Sequence, residues 1–246
     1  MLVVDGVEKS YRKNGLFSKE KLQILKDVRF TCGYGECLGI IGESGSGKST
    51  LGRLIAGIEK PDRGSVLLEG QHVADRAARS GKMSVVFQDY TSSINPFFTV
   101  EQAIMEPLTS KFVKEKKRMV GQLLHQVGLN PSYRHKFPHE LSGGEAQCVC
   151  IARAIATEPQ CIVLDEAISS LDVSVQAQVL DLLQDLKAAY GMSYIFITHD
   201  IQAAAYLCDR VIFFRNGQVE EIVPVEQLKH VQSEYARQLL QMQITL

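Results

Sequence analysis

The sequence predicts an α/β fold: an α/β core, an antiparallel β subdomain and an inserted all-helical subdomain. Three observations lead there. The apolar run Cys37–Ile41 enters a glycine-rich loop, residues 42–50, that is followed by a helical pattern, the order strand, loop, helix. Short strand patterns dominate the first 88 residues, and helical periodicity takes over from Asp89. After residue 157 strands and helices alternate, which is the mark of an α/β core.

The elements follow in order. Leu2–Val7 and Ile24–Thr31 read as short strands. The polar connection Lys9–Lys21 between them carries one exposed aromatic candidate, Tyr11. A short helix, Leu51–Gly57, follows the glycine loop. Gly64–Gly70 and Met83–Phe87 are further strands of antiparallel type, and Gln71–Lys82 reads as a connection. Val100–Leu108, Lys114–Val127 and Glu145–Ala156 carry helical periodicity, punctuated by Pro96, Pro107, Pro131 and Pro138. Cys161–Leu164 is a buried strand, Val173–Tyr190 a long amphipathic helix and Tyr194–Thr198 another strand. Arg210–Glu220 reads as two strands joined by an Asn216-Gly217 hairpin turn. Val225–Gln241 is expected to be helical. The predicted organisation is one domain, 1–246, with a core of 1–88 and 158–246 and a helical subdomain of 89–157.

Composition narrows the classes. Lys and Arg number 27 against 28 Asp and Glu, which argues against a nucleic-acid partner. No apolar run approaches the ~18–20 residues a membrane span needs. The segment Met1–Glu8 puts an acid where a signal peptide carries positive charge, so a cytoplasmic chain is expected. The six cysteines form no Cys-x-x-Cys pair and are expected to be free, buried thiols. His135 and His139 lie four apart, but Pro138 between them opposes a regular helix, so they read as a loop pair. Lys111–Arg118 is the one basic concentration. It reads as a solvated helix face, with lipid headgroup contact as the alternative.

Chemistry concentrates in three stretches. In Gly42-Glu43-Ser44-Gly45-Ser46-Gly47-Lys48-Ser49-Thr50, the glycines allow backbone N–H groups to curl around phosphate oxygens. The helix start adds a positive dipole end. Lys48 can reach the β- and γ-phosphates, and the Ser49 hydroxyl is placed to ligate Mg2+. In Cys161-Ile-Val-Leu-Asp165-Glu166, an apolar strand delivers two acids at its carboxyl end. Asp165 suits Mg2+, and Glu166 suits the general base that orients an attacking water. In Leu141-Ser142-Gly143-Gly144-Glu145, Ser142 and Glu145 fit a plain capping box. The same glycines, hydroxyl and helix start also fit a second anion site. One phosphate cannot occupy both helix starts of a chain if they lie on different lobes, whereas two facing copies solve that geometry.

Together these stretches resemble the nucleotide-binding subunit of an ABC transporter, over nearly the whole chain: a P-loop ABC-type ATPase with Walker A, Walker B and Leu-Ser-Gly-Gly signature motifs. The resemblance implies further roles. Tyr11 resembles the aromatic that stacks on adenine. Gln88, ending Val-Val-Phe-Gln, resembles the Q-loop glutamine that reaches Mg2+ and the attacking water. Ser169–Asp172 resembles the D-loop that crosses a dimer interface, and His199 the switch histidine that contacts the γ-phosphate. The family implies a head-to-tail dimer sandwiching two ATP, with each signature motif acting in trans. It further implies two integral membrane permease subunits, a second ATPase subunit (a different chain or a second copy), an indirect extracytoplasmic solute-binding protein, and a place at the cytoplasmic face of the cell membrane.

Departures are visible. Glu145 stands where the signature usually has glutamine, and Cys148 where arginine is common. The extra negative charge predicts either tuned-down activity or a non-identical partner. The stretch Asp165–Asp172 lacks the frequent proline and threonine, yet both carboxylates remain. Gly57–Pro61, Val86–Pro96 and the C-terminal Ser233–Leu240 resemble the peptide/nickel importer branch. Asp165–Asp172 and Cys150–Ala154 resemble nickel-import subunits more than oligopeptide ones. Nickel or a related metal complex is therefore the expected cargo, with peptides as the alternative. Non-transport ABC ATPases, P-loop kinases and exporters fit less well. The single module and short insert argue against the first, the signature against the second, and the missing membrane helices against the third.

Overall fold

The structure, a computed structural model, describes residues 1–12, 21–89, 93–108 and 113–244. Most of the polar connection after Tyr11, residues 90–92 of the branch-like stretch, and the opening of the basic run Lys111–Arg118 lie outside the described residues. Along the chain run β1 (Leu2–Arg12), β2 (Lys21–Cys32), β3 (Cys37–Ile41), α1 (Lys48–Ile55), β4 (Arg63–Leu68), β5 (Gln71–His72), α2 (Arg76–Arg79) and β6 (Met83–Phe87). Then come α3 (Val100–Met105), α4 (Val113–Gln126), α5 (Gly143–Ile155), β7 (Cys161–Asp165), α6 (Val173–Tyr190) and β8 (Ser193–Thr198). The chain closes with α7 (Ile201–Leu207), β9 (Arg210–Arg215), β10 (Gln218–Pro224) and α8 (Glu234–Ile244). They fall into two compact units, 1–80 with 193–246, and 81–192.

In the first unit, β2, β1, β4 and β5 form an antiparallel sheet in that order. Both β1 and β2 run longer than their apolar patterns predict. Ser10 and Tyr11 pair with Gln23 and Leu22, because the ladder bonds backbone whatever the side chain and tertiary pairing overrides local pattern. The second set of strands carries the site. β3 lies parallel between β8 and β9, and β10 closes the edge antiparallel to β9. Every residue of β3 and β8 is buried, which explains their near-continuous apolar sequences.

In the second unit, β6 pairs parallel with β7, from Met83 opposite Cys161 to Phe87 opposite Asp165. This corrects the antiparallel expectation for Met83–Phe87: a short apolar run carries no information about partner direction. α3 begins in a capping box formed by Thr99 and Gln102, and α6 ends at Gly191, whose φ is 64°.

Three further differences have local causes. Val225–Gln241 is not one helix. It is a 3-10 turn, Val225–His230, followed by α8, and the N–H groups of Gln232 and Ser233 between them donate to the Glu221 carboxylate. The connection 71–82 contains β5 and α2, the latter capped by Asp75. α7, missed by periodicity because it is under two turns long, starts on Asp200, whose carboxylate accepts from the N–H groups of Gln202 and Ala203.

All six cysteines are free, five of them buried and Cys148 half-buried. Burial pushes the Cys161 thiol up to about 12 and the Cys148 and Cys150 thiols up to about 11, so they stay neutral and behave as small hydrophobes. His139 stacks on Phe137 at 5.8 Å. Among the described residues no helix is long and apolar enough to cross a membrane.

The β9–β10 hairpin turns at Asn216 and Gly217, with φ of 48° and 79°, as a two-residue turn of primed type requires. A Cβ on Gly217 would sit 1.9 Å from the Ile24 carbonyl oxygen. Gly217→Ala should therefore cost more than about 1 kcal/mol, read as a lower urea midpoint with an unchanged m-value.

Candidate functional site

The parallel register of the first unit sets its chemistry. Ile41, the last residue of β3, pairs with Thr198 on one side and Phe213 on the other. One step beyond that row lie Gly42, His199 and Phe214, at the carboxyl ends of three parallel strands, where α/β proteins place ligands. Gly42 has no alternative as a residue type. A Cβ there would stand 2.1 Å from the Phe214 carbonyl oxygen. The loop then turns through Gly45 and Gly47, with φ of 81° and 106°, and enters α1. Gly47 is the N-cap and brings no side chain to the helix start, so the first-turn N–H groups are presented without a side-chain cap. Lys48 is buried and donates to the carbonyls of Gly42 at 2.7 Å and Glu43 at 2.9 Å, closing the loop on itself. Ser46 and Thr50 are buried, while Glu43, Ser44, Gly45 and Ser49 are exposed. Ser46 Oγ is buried without a hydrogen-bond partner among the described residues. A positively poised, self-braced cradle with a spare buried hydroxyl fits phosphate oxygens.

A chain of hydrogen bonds runs from this loop to Tyr11. Arg53 donates to Thr50 Oγ1 at 3.3 Å and to Glu59 at 2.7 Å, and the Tyr11 hydroxyl donates to the other oxygen of Glu59 at 2.5 Å. Tyr11 is thus half-buried and held, where the sequence suggested an exposed ring. The Tyr11 hydrogen bond, helped by Arg53 and Lys9, holds the Glu59 carboxyl below the usual range.

In the second unit, Phe87 opposite Asp165 ends the β6–β7 ladder, so Gln88 and Glu166 are the next residues along adjacent strands, spaced ~4.8 Å apart. Asp165 is buried, Gln88 exposed and Glu166 half-buried. Glu166 holds φ at 49°, an uncommon backbone state for a residue with a Cβ. Its carbonyl accepts from the N–H and hydroxyl of Ser169, which secure the turn.

Leu141–Glu145 forms the capping box that its spacing predicts. Ser142 Oγ accepts from the Glu145 N–H at 3.3 Å, and the Glu145 carboxylate accepts from the Ser142 N–H at 2.7 Å. Its second oxygen accepts from the Tyr133 hydroxyl at 2.6 Å, and the Lys136 ammonium lies 3.6 Å over the Tyr133 ring. Gly144 sits where a Cβ would meet Val175 at 2.6 Å, and Val175 N–H is itself bonded to Asp172, the N-cap of α6. The second unit therefore gathers the glycine-rich helix start and Asp172. Ser142, Gly144 and Glu145 line an open cavity of about 540 Å³ with Cys148 and Val175.

Several residues of this constellation escaped the sequence reading. Glu59, Tyr133 and Tyr235 touch site residues only through tertiary contacts. A tyrosine at 133, just after Pro131, carries no local signal, whereas Glu59 and Tyr235 lie within the branch-like stretches Gly57–Pro61 and Ser233–Leu240, where nothing in the spacing marks them as site residues.

The Glu145 carboxyl is held below the usual range, first by the Tyr133 hydrogen bond and next by the Ser142 N–H. A lowered folded-state value contributes stability that is present above the unfolded carboxyl range and is lost as pH falls through the folded value. Tyr133→Phe should move the Glu145 titration upward, towards the ordinary glutamate range, and shrink the acid-linked loss of stability. Carboxyl carbon NMR titration of the two proteins checks the shift.

Comparisons with known proteins identify the family. A family model described as ABC transporter matches residues 25–169. The metal-staphylopine import system ATP-binding protein CntF of Staphylococcus aureus (strain NCTC 8325 / PS 47) is 49% identical over 248 residues, covering 100% of both chains. The nickel import ATP-binding protein NikE of Rhodospirillum rubrum is 40% identical, covering 92% of this chain and 84% of the relative. The oligopeptide transport ATP-binding protein OppF of Bacillus subtilis (strain 168) is 41% identical over 84% of this chain and 71% of the relative. Among solved structures, the dimeric post-hydrolysis state of the ATP-binding cassette MJ0796 bound to ADP and Pi matches with a TM-score of 0.81. That match has 29% identity and covers 92% of this chain and 99% of the other. A glycine-rich loop at the end of a buried parallel strand, a paired-carboxylate strand end and a capped Leu-Ser-Gly-Gly helix thus occur in a chain that belongs to the ABC transporter family.

Proposed function

We propose that this chain is the ATP-hydrolysing subunit of an importer that carries nickel or a related metal complex through separate membrane subunits. The chain is an ATP hydrolase by family. The observation that supports the metal cargo best is the 49% identity to a metal-staphylopine import ATPase along the full length of both chains. A nickel-import relative supports it further. Peptide cargo remains the second reading, on the strength of the oligopeptide relative.

The site roles follow from each residue's chemistry. Backbone N–H groups of 42–50 and the Lys48 ammonium bind the nucleotide phosphates. Tyr11, its hydroxyl tethered, offers a ring face to the adenine. Ser49, Gln88 and Asp165 supply a hydroxyl, a carboxamide and a carboxylate, the hard oxygen donors that suit Mg2+, and these residues would hold it. Bound Mg2+ would supply charge neutralisation at the phosphates. Glu166 accepts the proton of the attacking water, Gln88 orients that water, and His199 contacts the γ-phosphate. Leu141–Glu145 presents its helix start to the nucleotide of a second ATPase subunit, and Asp172 lies at the same dimer contact. That second subunit is a different chain or another copy. In this reading the chain lies peripherally at the cytoplasmic face of the cell membrane. It works there with two permease subunits and, indirectly, an extracytoplasmic solute-binding protein. Residues 89–157 form its helical signature-bearing subdomain, and 1–88 with 158–246 its nucleotide-binding core.

Two measurements test this. Lys48→Ala should abolish tight ATP binding in equilibrium titration. Glu166→Gln should still bind ATP but lose at least ~100-fold in turnover, as removal of a general base predicts; wild-type turnover would remove Glu166 from that role. For cargo, cells carrying wild-type or Glu166→Gln protein are compared for uptake of radiolabelled nickel, free or as a small-chelator complex, and of a labelled peptide. Loss of metal uptake with peptide uptake intact supports the metal reading. The reverse pattern makes peptides the cargo.

A further inference from the structure

The phosphate loop is braced from outside by the C-terminal part of the chain. The tip of the β9–β10 hairpin donates Gly217 N–H to the Ser46 carbonyl at 2.9 Å. The end of β9 sets the Phe214 carbonyl against Gly42 so closely that a Cβ there would lie 2.1 Å away. The third brace is Tyr235, in the first turn of α8. Its hydroxyl oxygen accepts from the Glu43 N–H at 3.2 Å and its proton points to the Phe214 carbonyl at 3.5 Å. The ring is only 4% exposed, and the Arg215 guanidinium lies 4.8 Å over it. The start of α8 is in turn placed by the Glu221 carboxylate, which takes the N–H groups of Gln232 and Ser233.

A tyrosine has two functions in this position, and only one needs its oxygen. The ring fills space beneath the loop. The hydroxyl bridges the two backbone groups, Glu43 N–H and Phe214 C=O, whose separation sets where the loop leaves β3. Burial raises the Tyr235 phenol above its ordinary value, so it remains a neutral donor and acceptor at physiological pH. A loop free to shift at Glu43 would have to be reordered when phosphate binds, and that ordering would be subtracted from the affinity.

We propose that Tyr235 is a positioning residue for nucleotide binding: its hydroxyl, held by the C-terminal helix, presets the phosphate loop for the phosphates of ATP. The proposal rests on reading 42–50 as the phosphate site. It also gives a physical purpose to Ser233–Leu240, the stretch that resembled the importer branch.

The test is equilibrium titration of the full chain with fluorescent ATP and ADP in the presence of Mg2+, alongside thermal unfolding without nucleotide. Tyr235→Phe keeps the ring and deletes the bridge. It should raise Kd for both nucleotides at least threefold, the order expected for one hydrogen bond. Arg237→Ala serves as the comparison. Arg237 ties the start of the same helix to the carbonyls of Val231 and Gln232 and, among the described residues, forms no hydrogen bond to the loop. It should lower the unfolding midpoint while leaving both Kd values within twofold. A rise below threefold in Tyr235→Phe, or an equal rise in Arg237→Ala, overturns the positioning role. Lys48→Ala separates the two levels. If it abolishes binding while Tyr235→Phe does not weaken it, the brace alone is wrong; if it binds normally, the phosphate-loop reading falls and the brace with it.

Discussion

The site in the first unit depends on one constraint: β3 is paired on both edges and buried on both faces. A strand held in this way cannot slip in register. Its register against β8 and β9 therefore decides what stands beside Gly42, namely His199 on one side and the Phe214 carbonyl on the other. The glycine follows from the crowding, and the left-handed turns at Gly45 and Gly47 follow from the need to lead out of a packed strand into a helix. Lys48, bonded to the carbonyls of Gly42 and Glu43, closes the curl. In the proposed role as a phosphate site, such a loop is preorganised, since its N–H groups need little reordering to receive an anion.

The second unit uses the same device with weaker means. Its strand pair ends at Phe87 and Asp165, and polar Gln88 and Glu166 come next. Glu166 is held at positive φ, which costs of order 1–3 kcal/mol, and the Ser169 bonds to its carbonyl offset part of that. Strain at a paired-carboxylate strand end is where function is expected to sit.

Glu145 shows how a departure from a family motif can be absorbed. A glutamic acid at a helix N-terminus is favoured by the dipole. Here one oxygen is engaged by the Ser142 N–H and the other by the Tyr133 hydroxyl, with Lys136 over the Tyr133 ring. The added negative charge is thereby spread over partners of its own subunit, which tempers its effect on any anion at that helix start. The capping box and the second-anion reading are compatible, because a cap satisfies some of the four free N–H groups and leaves others.

What the sequence determined by itself is local in origin. The glycine-rich loop 42–50, the Asp165-Glu166 strand end, the Ser142 cap, the Val173–Tyr190 helix and the Asn216-Gly217 turn each rest on spacing within one short segment. Backbone propensity and periodicity read such spacing directly. The tertiary structure alone decided three kinds of fact. It set the direction of β6, since an apolar pentapeptide suits either pairing. It broke the C-terminal helix at Gln232 and Ser233, because a carboxylate eleven and twelve residues away captured their N–H groups. And it brought Glu59 to Tyr11 and Tyr235 to Glu43 across 48 and 192 residues. Contacts of that separation leave no period in the chain; they exist only once parallel strands have fixed a register and set their carboxyl ends side by side.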